Sequence, residues 1–202
     1  MINKYLVFAV VLAVGISLGK ISTSSNANNA KGIIISSGKN FIVYDITKDN
    51  QLEYSPEYKY EIYDRNGKIV KSAIVWRINP DIDYVISDTL LYIRISVGTG
   101  TFLMQYYDIC KDTFSQIFES PALAGFGRVV YMGFTDEDGM KLVVRDIFNE
   151  SLYYREYRLD FSPTAIPADA LQNAEFLDEN TIRITYLSGD NYIEKEAVLH
   201  ID

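Results

Sequence analysis

The chain has 202 residues, 19 Lys+Arg against 27 Asp+Glu for a formal net charge of −8, 48% hydrophobic residues and 23% charged ones. That balance is globular, not disordered, and the length is enough to bury a core. The acidic sign argues against a nucleic-acid or anionic-membrane binder, because those partners select basic surfaces. A single Cys and a single His remove Cys-rich scaffolds and most metal sites.

The first 30 residues carry only Lys4 and Lys20 as charges, so residues 31–202 hold 17 basic and 27 acidic side chains, a net of −10. Residues 5–19 form an uncharged apolar run after Lys4, and a Ser/Thr/Asn/Ala stretch follows Lys20. A basic start, a short apolar run and small residues beyond it are the parts of a secretory signal, with Ala27 and Ala30 as candidate cleavage points. Fifteen helical residues reach about 22 Å, short of a hydrocarbon core of roughly 30 Å. Residues 1–30 are therefore expected to be a signal peptide or, if uncut, an N-terminal membrane-anchor helix. In both cases residues 31–202, read as one domain, lie outside the cytoplasm, secreted or membrane-anchored. The apolar run is not followed by a Cys, which excludes lipid attachment there, and Cys110 has no second thiol to pair with.

From residue 31 onward the chain reads as strands. It holds 24 Ile, 16 Tyr and 10 Phe, types whose branched or flat side chains suit a pleated surface. Apolar and polar residues alternate over 59–63, 92–97, 181–186 and 192–199, the period of a strand with one buried face. Asp64 to Gly67, Asp136 to Gly139 and Ser188 to Asn191 supply turn residues between them. Loops are expected at 96–101, 120–127 and 161–167, the last because two prolines in five residues stop strand pairing. Residues 168–174 alone look locally helical, for two turns at most. The fold class is all-β.

A longer period lies above the strands. An acidic turn, a strand, a loop and a second strand ending near an Asp recur over 85–108, 133–160 and 176–202, with a looser copy over 40–64. The closing aspartates are Asp64, Asp108, Asp160 and Asp202. At 40–50 residues per unit, this pattern resembles the blade repeats of β-propellers, in the manner of an exported bacterial protein. The resemblance implies a four-unit, propeller-like antiparallel meander. A two-sheet β-sandwich of hairpins is the alternative, because the same alternation serves both.

Groups able to do chemistry are sparse. His200 lies three residues from the C-terminus on an alternating strand, where a general base has few organising partners. The Gly-containing segment 96–101 precedes no helix and makes no phosphate cradle. Asp136, Glu137 and Asp138 crowd one turn, and Asp136 and Asp138 are the candidate Ca²⁺ ligands, although the spacing is not that of an EF-hand. No other cofactor is expected. Asp81, Asp83 and Asp88 form a second acidic group. Tyr54, Tyr58 and Tyr60 are the candidate ligand-binding residues, because tyrosines two apart share one strand face and could form a platform for a sugar ring or a peptide.

The expectation is an exported, non-catalytic binding or interaction module whose partner is an extracellular glycan or protein. No nucleic acid is involved, and the membrane is touched only through residues 5–19 if they are retained. A membrane-tethered accessory or sensor domain is the alternative. A carboxylate-based glycan-acting enzyme is the third reading.

Overall fold

Alternation becomes sheet in this chain by the simplest route, in which each strand pairs with the strand that follows it. The computed structural model describes residues 32–47, 56–98, 100–135, 139–163 and 165–202; the expected signal or anchor helix, Tyr54, Asp136 and Asp138 lie outside them. The first sheet holds β1 (Ile33–Gly38), β2 (Phe41–Asp45), β3 (Glu57–Tyr63) and β4 (Ile69–Trp76). The second holds β5 (Asp81–Tyr84), β6 (Leu90–Gly98), β7 (Thr101–Asp108) and β8 (Thr113–Glu119). The third holds β9 (Leu123–Gly125), β10 (Arg128–Thr135), β11 (Gly139–Asp146) and β12 (Tyr154–Tyr157). The fourth holds β13 (Leu171–Asp178), β14 (Thr181–Ser188) and β15 (Ile193–His200). All pairings between these strands are antiparallel. The described chain is thus all-β, with four sheets where a sandwich would have two.

Two local expectations need correction. Residues 168–174 are not a two-turn helix: α1 covers only Pro167–Ala170, and β13 begins at Leu171. Proline at the start suits a helix, since its missing N–H would have no partner there. Pairing of Leu171 with Tyr186 and burial of both side chains then draw the chain into the sheet. The third repeat copy is also displaced. In the first, second and fourth sheets the sequence unit covers the second and third strands, but residues 133–160 cover the third and fourth strands of the third sheet. The residue equivalent to Asp64 and Asp108 is Asp146, not Asp160.

Those three aspartates do one job. Each lies at the end of the third strand of its sheet, Asp64 one residue past it, and turns its carboxylate back on the following amides. Asp64 Oδ1 accepts from Asn66 N and Lys68 N at 2.8 Å each. Asp108 Oδ1 accepts from Cys110 N at 2.9 Å and Lys111 N at 3.0 Å. Asp146 Oδ1 accepts from Phe148 N and Asn149 N at 2.8 Å each. Such turns satisfy amides that leave the ladder and stop the strand at a fixed residue. Asp160 instead clamps the loop before α1 to the fourth sheet, accepting Tyr186 Oη at 2.8 Å and Ser188 Oγ at 2.7 Å and pairing with Lys195 Nζ.

The core is three layers of side chains between successive sheets. Phe41, Val43, Tyr60 and Ile62 of the first sheet meet Ile82, Leu91, Ile93 and Tyr107 of the second. Tyr106 and Phe118 on the opposite side of the second sheet meet Val129 of the third, and Ile147, just after β11, joins them. Val130, Leu142 and Val144 on the far side of the third sheet meet Ile182, Ile184 and Tyr186 of the fourth. The second and third sheets are covered on both faces. The first and fourth each keep one outer face, and among the described residues no core cluster joins these two sheets.

Candidate interaction face

Strand register decides what the outer face of the first sheet presents. Ile34 pairs with Tyr44, Tyr44 with Lys59, and Lys59 with Ile74, so these four side chains share a side. The next row holds Ile42, Glu61 and Ser72, and Glu57 pairs with Trp76 at one end. Tyr63 pairs with Ile69 at the other end, next to a bulge that follows Ile62. β4 reads Ile-Val-Lys-Ser-Ala-Ile-Val-Trp, apolar on both faces. Its Val70, Ala73 and Val75 pack against the core, while Ile74 and Trp76 remain 54% and 61% exposed. Ile34 and Ile69 are 57% and 47% exposed.

The centre of the face is polar and internally satisfied. Glu61 is buried, accepts a hydrogen bond from Tyr44 Oη at 3.3 Å and one from Tyr63 Oη, and pairs with Lys59 Nζ at 2.6 Å. Burial would raise the Glu61 carboxyl, but the bonds from Lys59, Tyr63 and Tyr44 outweigh it and hold the group below its ordinary value. Burial and the Glu61 carboxylate together push the Tyr63 phenol upward. Lys59 Nζ also sits 5.8 Å from the Tyr44 ring centroid. The outcome is a neutralised Lys59–Glu61 pair whose tyrosine hydroxyls point at Glu61, with apolar groups on either side.

Of the tyrosines singled out in the sequence, the described ones, Tyr58 and Tyr60, lie on the other side of the same sheet. Tyr58 and Tyr60 do share a face, but it is the face packed on the second sheet. Tyr60 is 3% exposed and burial pushes its phenol up to about 12; Tyr58 is half-buried on the same face. Tyr60 pairs with Val43 and Ala73, so its ring has become part of the core and not part of an exposed platform. Asp81, Asp83 and Asp88 are exposed, and Asp81 accepts from Tyr92 Oη at 3.3 Å. His200 is exposed on β15. Among the described residues, no three or more His, Cys, Asp or Glu side chains come together as metal ligands. Trp76 falls between the repeat copies 40–64 and 85–108 and is not among the candidate residues. The signal for it was present in β4, where apolar residues on both faces mark a strand that needs covering twice.

The outer face of the fourth sheet mixes charges with the half-exposed Val198, which pairs with Arg183. Arg183 pairs with Glu175 at 3.0 Å and approaches Glu196 at 3.6 Å, with Glu194 exposed beside them. A cleft of about 260 Å³ lies elsewhere, lined by Phe102, Ser120, Pro121, Met132, Leu171 and Asn173 among others. The Ser120 hydroxyl there is engaged by Phe102 N at 3.2 Å.

No family model matches the chain, and no curated protein matches it. Among solved structures, the chain is similar to the crystal structure of a subtype N11 neuraminidase-like protein of A/flat-faced bat/Peru/033/2010 (H18N11). The identity is 7% and the TM-score 0.25, with 78% of this chain and 56% of that chain covered. The chain thus spans about half the length of the structure it matches.

Proposed function

We propose that the chain is an exported, non-catalytic interaction module with a propeller-like arc of four sheets, and that it engages a protein partner through the outer face of its first sheet. The observation that carries this reading is the set of Ile34, Ile69, Ile74 and Trp76, all about half-exposed or more around the polar centre of one sheet face. Ile74 and Trp76, two apart on β4, expose apolar surface side by side next to the polar Lys59–Glu61 centre, the arrangement of an interaction site and not of scattered surface residues. A protein suits the face better than a glycan does. Sugar rings stack on aromatic planes, whereas three of these four side chains are aliphatic and both tyrosine hydroxyls are committed to Glu61.

The reading is tested in cells producing the full chain with a photo-crosslinking amino acid at position 76 and, separately, at Thr185 on the outer face of the fourth sheet. An adduct at 76 with none at 185 supports it. Equal labelling at the two positions, or none at 76, overturns it.

A further inference from the structure

We propose that the cleft beside β10 receives an extended peptide segment, which adds to β10 as a further strand. The site is built from the second, third and fourth sheets and stands independently of the first-sheet reading above. β10 pairs with β11 along its whole length, from Arg128 to Thr135, without a bulge. On its other edge, β9 pairs only with Arg128, Val129 and Val130. Residues 131–135 therefore keep one strand edge with no described strand against it.

Alternation fixes which backbone groups are left over. In an antiparallel ladder, alternate residues turn both N–H and C=O to the same neighbour. The Val130 carbonyl accepts from Ala122 N at 2.8 Å, on the β9 side. The Gly127 carbonyl accepts from Ile147 N at 3.0 Å, on the β11 side. Met132 and Phe134 share the parity of Val130, so their N–H and C=O groups point past the end of β9. Tyr131 and Gly133 share the parity of Gly127 and are taken up by β11.

The chain before β9 keeps this edge open. Ser120 is tied to β7, donating its N–H to the Phe102 carbonyl at 2.8 Å and accepting from Phe102 N at 3.2 Å. It holds a left-handed backbone, φ 41°, which a residue with a Cβ adopts at a cost. Pro121 follows and has no N–H with which to prolong a ladder. The space left is the cleft of about 260 Å³, with Met132 on one side and Leu171 and Asn173 of β13 on another. β13 is itself an end strand of its sheet.

The open groups specify the occupant. Donors and acceptors on alternate residues of a strand are matched by another extended backbone, the basis of recognition by strand addition. Natural edges are guarded by charges, prolines or bulges, and Tyr-Met-Gly-Phe-Thr over 131–135 has none of these. β6 also outruns β5, which reaches only from Leu91 to Arg94, but its residues 96–98 are exposed and do not line the cleft. Phe102, Met132 and Leu171 in the lining suit an apolar side chain on the entering segment.

The test uses the purified chain and a displayed library of random peptides. In the free protein, amide hydrogen exchange followed by NMR should be fast at Met132 and Phe134 and slow at Tyr131 and Gly133. Selected peptides, synthesised and added back, should slow exchange at Met132 and Phe134. Phe134→Pro removes an N–H from the open edge and none from the β11 ladder. It should weaken peptide binding about tenfold or more, the scale of one lost main-chain bond with its partner stranded. Phe134→Leu keeps the N–H and should bind within about threefold of the parent. Slow exchange at Tyr131 and Gly133 in both variants shows that the ladder is intact. The proposal is overturned if the library yields no binder, or if no selected peptide slows Met132 and Phe134. Unchanged affinity in Phe134→Pro overturns it as well. Slow exchange at both positions in the free chain would mean that the chain itself fills the edge, which also overturns it.

Discussion

Asn40 joins the first two sheets and lends itself to a quantitative test. Its side chain is 3% exposed. Nδ2 donates to the carbonyls of Tyr63 at 3.1 Å and Asp64 at 3.2 Å, and Oδ1 accepts from Tyr84 Oη of the second sheet at 3.5 Å. The Asp64 carbonyl keeps a second donor, Gly67 N at 3.0 Å, so Asn40→Ala leaves one bond partly compensated and the other open. With roughly 1 kcal/mol for a lost bond and 1–3 kcal/mol for a stranded buried group, the expected loss is about 2 kcal/mol. In a domain of this size that corresponds to a fall in Tm of about 4–8 °C. Asn40→Asp should cost more at pH 7, because a carboxylate facing two carbonyls has no proton to donate. Its folded pKa is raised, so the loss should shrink as pH falls and the acid becomes protonated. Urea unfolding followed by tryptophan fluorescence, repeated at pH 7 and pH 4, measures all three. An Ala variant within 0.5 kcal/mol of the parent, or an Asp variant as stable as the parent at pH 7, would refute the account.

Two further outcomes follow from the buried phenols and the loop clamp. Burial raises Tyr60 to about 12, so its neutral form favours the folded state; that contribution is complete below the unfolded value near 10 and is lost as pH rises from 10 to 12. Tyr60→Phe should make stability less steep over that window in alkaline urea titrations, and an unchanged slope would show that Tyr60 is not the group responsible. The bonds from Lys195, Ser188 and Tyr186 hold Asp160 below the ordinary carboxylate range, so its contribution is present above the unfolded value and declines as pH falls through and below it. Asp160→Asn should therefore lose less stability than the parent on acidification from about pH 4 to pH 2, read from thermal melts. Parallel curves would indicate that the clamp contributes nothing in water.

Particular residues show how much of this was legible beforehand. The alternation around Tyr58 and Tyr60 determines that both occupy one strand face, since side chains reverse with every residue. Asp64 and Asp108 next to turn-forming residues determine where two strands stop. Ile74 and Trp76 against Ala73 and Val75 determine that β4 is apolar on both sides. These are local properties, carried by period and by the reach of a carboxylate to amides two to four residues away.

Only the tertiary structure decided which face of the first sheet meets the second. A period of two is identical for the two faces, so it marks a pair of sides without saying which is inside. Stacking on the second sheet places Tyr60 in the core, where the sequence-based expectation is an exposed platform, and leaves Trp76 exposed on the other face. The register of the third sheet was undecidable for a related reason. β10 with β11 and β11 with β12 are both antiparallel hairpins of alternating residues, and only the pairing of β9 with β10 shows which strand comes first. The polar centre and apolar flanks of the first sheet's outer face arise from residues on four different strands, brought into rows by cross-strand register.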